Sequence, residues 1–238
     1  IGLVKENFSI LGKIMFYNNP IEGGGRDKGA KGSLSVTLPI AGIFGRLSAI
    51  FGTYGTPPEV PQGQNFAYSE NFYPYWYVDG IIGSEAAIPI CAGVGIYGFG
   101  GGVGYNIIQT ASYTVAEGQI TGEPEYTPTY NSFMIRAGIM LGTMPTPTAF
   151  NADITFTAQF VNGGLDMMSL QGDGYVMTPI NERNDPQLYV GVSLAFYTQN
   201  DTRDWYMDGS LKVAANIGDG TFVGNMQNPV IPNQMVNG

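Results

Sequence analysis

Apolar and polar side chains alternate with a period of two along much of this chain. Over residues 33–38, Leu34, Val36 and Leu38 share one face of a strand, and hydroxyl side chains share the other. Residues 153–160 alternate in the same way, and no long segment shows the 3.6-residue period of a helix. The pattern predicts an all-β protein, an antiparallel β-sandwich or repetitive stacked β-sheets, with Gly/Pro-rich loops and little helix. We expect each sheet to pack its apolar face and to be wetted on the other.

The composition agrees with many strands joined by tight turns. Glycine contributes 35 of the 238 residues, aromatic side chains 13% and charged side chains only 12%. Disordered chains are poor in aromatic and β-branched residues, so a folded protein is expected. The polar stretch 110–132 predicts a long excursion or an extra hairpin between two β-rich halves, 1–109 and 133–238, unless the whole is one continuous domain.

The charge and the absent histidine exclude several classes of function. A net charge of −9 without a basic cluster disfavours nucleic acid and anionic membrane surfaces as partners. The chain has no histidine, which removes Ser-His-Asp and Cys-His catalysis and most zinc sites, so we expect no enzyme. Cys91 is the one cysteine, and its apolar neighbours predict a small buried hydrophobic residue.

Two similar segments contain both tryptophans of the chain. Residues 75–80 read Tyr-Trp-Tyr-Val-Asp-Gly, and residues 204–209 read Asp-Trp-Tyr-Met-Asp-Gly. They suggest a structural unit used twice, which serves packing or binding through Trp76, Tyr77, Asp79, Trp205, Tyr206 and Asp208. If the indole rings are buried, replacing either by alanine would cost about 3–5 kcal/mol.

These segments also allow two functional interpretations. Exposed Trp and Tyr beside acids would suit sugar stacking in a binding module. Asp79 and Asp208, with Glu85 and Glu182 behind them, could form the carboxylate pair of a glycoside hydrolase. A bulge or turn is the commoner use of Asp-Gly, because both residues tolerate positive φ.

Two further motifs bear on the binding of a cofactor or a metal ion. Residues 93–98 match G-x-G-x-x-G, but the glycine-rich run that follows is a poor helix start, so no bound cofactor is expected. Acid-bearing turns with Asp201, Asp204 and Asp219 are weak candidates for calcium, and neither turn matches a complete calcium loop.

Several stretches resemble very large, repetitive, β-rich exported or cell-surface proteins of Bacteroidota-type bacteria. They are residues 8–19, 32–54, 75–80 with 96–102, and 150–177. The resemblance implies an envelope or surface location and a scaffold-like role, and it brings no catalytic residues. The start at Ile1, without a leader, leads us to expect a processed product or a piece of a longer chain.

The sequence therefore predicts a non-enzymatic structural or adhesive β-protein of the cell surface or an extracellular assembly. Its partners would be copies of itself, other surface proteins or glycans. A carbohydrate-binding β-sandwich is the first alternative. An outer-membrane β-barrel is the second; against it, several strands look shorter than the 9–11 residues required, and the chain ends in Val-Asn-Gly.

Overall fold

The computed structural model describes residues 2–5, 8–59, 67–111, 114–116, 119–121, 125–180, 183, 186–199, 204–217 and 220–229. Of these, residues 111, 114–116, 119–121, 199, 204, 216–217 and 220–229 are described by their backbone alone. Among the described residues, no helix is long and apolar enough to cross a membrane.

The described residues are mostly strand, which confirms the all-β prediction. In chain order the strands are β1 Gly2–Lys5, β2 Phe8–Pro20, β3 Arg26–Leu38, β4 Ile43–Gly55, β5 Phe72–Cys91, β6 Val94–Ala111, β7 Thr114–Ala116, β8 Gln119–Thr121, β9 Glu125–Thr143, β10 Phe150–Val161, β11 Gly164–Val176, β12 Leu188–Gln199, β13 Asp204–Ile217 and β14 Gly220–Pro229. Two short 3-10 turns, Glu22–Gly24 and Pro39–Ala41, lie between strands.

Twelve of these strands form one antiparallel sheet in the order β1-β2-β3-β4-β5-β6-β9-β10-β11-β12-β13-β14. Some consecutive strands are joined by short connections such as Asn162-Gly163, whose positive φ angles of 52° and 79° fit a two-residue hairpin turn, whereas residues 56–71 between β4 and β5 form a long one. β7 and β8 pair only with each other, within the stretch 110–132, while β6 and β9 pair directly. The large sheet thus runs without interruption from one half of the chain to the other.

The strands are longer than the sequence suggested. β5, β6 and β9 contain 20, 18 and 19 residues, and β2, β3, β4 and β11 contain 13 each. The expectation that several strands fall short of 9–11 residues was wrong for these elements. Glycine and proline do not end these strands: Gly45 on β4 is paired with Val36, and Pro74 on β5 is paired with Thr53.

The two faces of the sheet have very different surroundings. One face lines a cavity of about 1770 Å³, to which residues from β2, β3, β4, β5, β6, β9, β10, β11, β12 and β13 contribute. We call this the inner face and the opposite one the outer face. Because strands from nearly the whole sheet line one cavity, the inner face is concave.

The apolar side of the alternation lies on the outer face, which corrects the expected packing. Leu34 is 42% exposed and lies away from the cavity, whereas the hydroxyl side chains Ser33, Ser35 and Thr37 line it. The period of two was predicted correctly, but the apolar face is not the packed one. Buried side chains are instead mainly tyrosines, methionines and hydrogen-bonded polar residues of the inner face.

Candidate functional site: an apolar outer face around a polar cavity

Strand pairing aligns the outer face into rows, and the row through the middle of the sheet is wholly apolar. It crosses ten strands from β2 to β13, and neighbouring members are paired directly. The members are Gly12, Leu34, Leu47, Gly80, Gly101, Ala137, Phe156, Leu170, Leu194 and Gly209. None carries a charge or a hydroxyl group.

The adjacent inner row crosses the same ten strands. On each strand its member is the residue next to the member of the outer row, and all of its side chains are polar or small. Its members are Lys13, Ser33, Ser48, Asp79, Gly102, Arg136, Thr157, Ser169, Ala195 and Asp208. The contrast between these two rows shows that, across the middle of the sheet, the charged side chains lie on the concave side.

An aromatic row lies along one border of the outer face. It runs over seven strands from β2 to β10 through successive direct pairs. Its members are Phe16, Ala30, Phe51, Trp76, Tyr105, Phe133 and Phe160. The rings of Trp76 and Tyr105, and those of Phe133 and Phe160, have centroids 6.4 Å apart, so neighbouring members are in ring contact.

A charged cluster spans β5, β6 and β9 on the inner face. Arg136 Nη1 lies 3.3 Å from Asp79 Oδ2, and the Tyr77 hydroxyl donates to the same oxygen at 3.0 Å. The rings of Tyr77 and Tyr126 are 4.4 Å apart. Gly102 on the intervening strand makes this approach possible, because a Cβ there would lie 2.9 Å from Asp79 Oδ2. The cluster neutralises both charges within the cavity wall.

A second cluster holds the connection between β11 and β12 against the inner face. Arg183 donates to Asp153 Oδ2 at 2.7 Å and to Asn151 Oδ1 at 2.8 Å. Its guanidinium group also lies 4.5 Å from the centroid of the Tyr175 ring. One Nη atom of Arg183 and one carboxylate oxygen of Asp153 are buried without a hydrogen-bond partner among the described atoms.

Hydrogen-bonded tyrosines fill the cavity near the aromatic row. The Tyr75 hydroxyl donates to Asp27 on β3. The Tyr17 hydroxyl on β2 lies 2.6 Å from the Tyr75 hydroxyl. Tyr75 and Tyr77 pack with Ile107 and Met134 in the main cluster of buried side chains. These contacts link β2, β3, β5, β6 and β9 through the interior.

The two repeated segments occupy equivalent positions, with alternate members on opposite faces. Trp76 lies in the aromatic row, and Trp205 on β13 is 50% exposed on the same face. Tyr77 and Asp79 line the cavity, and the register places their counterparts Tyr206 and Asp208 on the same inner face of β13. The six predicted residues therefore form no single site: the tryptophans and the tyrosine–aspartate pairs lie on opposite sides of the sheet.

The second segment makes different contacts from the first. The Tyr206 ring stacks on Tyr197 with centroids 4.8 Å apart, and one oxygen of Asp208 is buried without a hydrogen-bond partner among the described atoms. The burial on which the predicted 3–5 kcal/mol loss depended is absent at Trp205, because half of that side chain is exposed. Trp76 is intermediate in exposure.

The other candidates are placed as follows. Asp201, Asp219 and Glu182 lie outside the described residues, and Asp204 is described by its backbone alone. Over the described ranges, no group of three or more Cys, Asp or Glu could hold a metal ion. Glu85 lines the cavity on β5, beside the turn at Gly42. Cys91 is exposed at the end of β5, which corrects the predicted burial; the apolar run around it belongs to an outward-facing strand end.

The G-x-G-x-x-G run opens a series of glycines that leave space for inner-face side chains. Its first residue, Gly93, lies in the turn between β5 and β6, and the rest lies on β6, where Gly98, Gly100, Gly102 and Gly104 alternate with outer-face residues such as Phe99. A Cβ at Gly104 would lie 3.0 Å from Ile107 and 3.2 Å from Met134. The motif is therefore part of a strand and not the turn before a helix.

Sequence reasoning missed Arg136, Arg183 and the inner lysines as members of a polar cavity. Parity was a partial signal, because Lys31 on β3 and Asp153 on β10 share the parity of the cavity-lining hydroxyl residues, whereas Lys28 on β3 has the opposite parity. Comparison with protein-family models, with curated proteins and with solved structures finds no match to this chain.

Proposed function

We propose that this chain forms the wall of an outer-membrane β-barrel whose polar interior admits small solutes. The observation that carries the proposal is the separation of charge between the two faces. A soluble sheet buries its apolar face, whereas here the central row of the outer face is apolar and charged side chains such as Lys13 and Arg136 line the cavity. That arrangement is favourable when the outer face contacts lipid. In the strands of membrane β-barrels, apolar side chains that face outward alternate with polar side chains that face inward.

The energy of exposure supports the same environment. Leu47, Phe51, Leu170 and Val192 are each about half exposed on the outer face. Each large apolar side chain left in water forfeits about 1.5–3 kcal/mol relative to burial. At half exposure each of these side chains forfeits about half of that energy, and large apolar side chains recur in rows that cross up to ten strands. Contact with acyl chains removes this cost.

The height of the apolar band fits a bilayer. On β10 the outward positions run from Phe150 to Phe160 and contain no charge. At about 3.3 Å per residue and a tilt of about 40°, this stretch spans about 25 Å, the height of the apolar band in outer-membrane barrels. The aromatic row forms one border of the band, where Trp and Tyr rings favour the membrane–water interface.

Membrane insertion also places a demand on the two edge strands. Unpaired N–H and C=O groups in lipid each cost several kcal/mol, so sheet edges are excluded from the hydrocarbon region. β1 and β14 are the edges of the described sheet. The proposal therefore requires that each pairs with a further strand in the membrane, and mutual pairing of the two would close the barrel.

The other expectations from the sequence stay predictions. An adhesive scaffold, self-association and glycan binding are each compatible with a protein held in the envelope by its outer face. Trp76 is flanked in its row by Phe51 and Tyr105, an apolar setting that favours lipid contact over the polar contacts a sugar needs.

Membrane extraction tests this proposal. Expressed with a secretion signal in a Gram-negative host, the protein should float with lipid vesicles in a density gradient. It should stay with them after a urea wash and need detergent for release. A protein recovered as a monodisperse soluble species in detergent-free buffer would contradict the proposal.

A further inference from the structure

Three cations lie together on the part of the cavity wall formed by β2, β3 and β4. Lys13 is paired with Ser33, Lys31 lies two residues from Ser33 on the same face, and Arg46 is paired with Ser35. All three cationic side chains are exposed and line the cavity. Because paired residues and alternate residues on one face are close neighbours, the three charges surround the hydroxyl groups of Ser33 and Ser35. We call Lys13, Lys31 and Arg46 the basic wall.

The side chains of the basic wall differ from the other cationic side chains of the cavity, which form ion pairs with aspartates. Arg136 and Arg183 are bound to Asp79 and Asp153, and their side chains are only 23% and 14% exposed. Among the described residues, neither ion pair includes a member of the basic wall. The accessible charge of this wall is therefore positive, although the whole chain carries −9.

Acidic side chains of the cavity are placed elsewhere or engaged. Asp27 accepts from Tyr75, and Asp173 accepts from Tyr189 at 2.6 Å. Glu85 lies beside the turn at Gly42, beyond the paired rows that contain the basic wall. Glu125 is the first residue of β9, past the border marked by the aromatic row. The hydrogen bonds from tyrosine leave Asp27 and Asp173 negatively charged, so the positive surface is confined to the part of the wall around Ser33 and Ser35, where cations and hydroxyl groups lie together.

We infer that the cavity is a passage selective for small anions, with carboxylates and phosphates as the class of solute, and that the basic wall determines this selectivity. The inference rests on the proposed membrane location. The cavity extends along β3 from Asp27 to Leu38, which is most of the strand. Fixed charge in a narrow passage with walls of low dielectric constant concentrates the opposite ion, and rings of Lys and Arg select anions in known pores.

Reversal potentials in a planar bilayer test the inference. The purified protein is inserted between potassium chloride solutions of unequal concentration. We expect chloride to permeate about tenfold more readily than potassium at low salt, with the preference falling near 1 M as the charges are screened. Inorganic phosphate added to one side should lower the chloride current through competition for the basic wall.

Variants assign the effect to these residues. The triple variant K13Q/K31Q/R46Q should lose the chloride preference and the phosphate effect. Lys28→Gln is the matched control for Lys31→Gln, because Lys28 lies on the same strand but on the outer face and is exposed. Lys31→Gln should lower the selectivity, and Lys28→Gln should leave it unchanged.

The outcomes separate this inference from the proposed function. A conducting protein without chloride preference, or one whose preference survives the triple variant, overturns the inference and leaves the membrane location intact. So does a protein that floats with vesicles but carries no current. A protein that fails to float overturns the proposed function, and the inference falls with it.

Discussion

Arg136 and Asp79 form an ion pair of 3.3 Å although a third strand, β6, lies between the two that carry them. The pair passes over Gly102, which is paired in register with both residues. A side chain at Gly102 would occupy the space of the bridge, since a Cβ there lies 2.9 Å from Asp79 and 3.0 Å from the Tyr77 hydroxyl.

Replacement of Gly102 by alanine should therefore destabilise the protein by about 1–3 kcal/mol, the usual cost of overpacking. Gly172→Ala on β11 is the control, because nothing lies within 4 Å of a Cβ at that position. Urea unfolding of the protein in detergent micelles measures both variants. Equal midpoints for the two would show that the space above Gly102 is not filled as described.

The ion pair itself should make a modest contribution. Both side chains are about one quarter exposed, so the coupling between Arg136 and Asp79 should lie between that of a surface pair and that of a buried pair, about 1–2 kcal/mol. A double-mutant cycle with Arg136→Gln and Asp79→Asn measures it through the free energy of unfolding. A coupling of zero would mean that the two charges are held apart in solution.

Arginine should be tolerated on one face of β10 and not on the other. Phe156 lies in the central outer row, where arginine in the hydrocarbon region costs about 2–4 kcal/mol. Thr155 is its neighbour on the inner face and is paired with Gly138, which leaves room for a larger side chain. Phe156→Arg should therefore lower the folded fraction recovered in membranes, and Thr155→Arg should have a small effect. The reverse order would place the outer face away from lipid.

The edge strands should be protected in the membrane. If β1 and β14 pair with further strands, backbone amides in residues 2–5 and 220–229 should exchange slowly in lipid nanodiscs. The amide of Glu59, in the connection after β4, provides a fast-exchanging reference. Exchange of both edges at the rate of this reference would show that the sheet has open edges and would contradict a closed barrel.

Much of the fold follows from the sequence through the period of two. The alternation over residues 33–38 and 153–160 assigned both segments to strands, and the structure places them in β3 and β10. The direction of each face could not be read in the same way. Periodicity reports which side chains lie together, and the solvent on each side decides which set is buried.

The candidate site was predicted only in part. Trp76 and Asp79 were singled out with Trp205 and Asp208 as a unit used twice for packing or binding, and the structure places the tryptophans and the aspartates on opposite faces. The partner of Asp79 could not be found from sequence spacing, because Arg136 is 57 residues away and reaches it only through the pairing of β6 with β9. The basic wall depends in the same way on the register of β2, β3 and β4.

Quenching of tryptophan fluorescence by brominated lipids tests the membrane location most directly. The chain has two tryptophans, so Trp76→Phe and Trp205→Phe each leave a single reporter on the outer face. Both reporters should be quenched in vesicles of brominated phosphatidylcholine, and Trp76 should be quenched more by bromines near the headgroups than by bromines near the bilayer centre. If neither reporter is quenched at any depth, the outer face does not contact lipid, and the proposed function is wrong.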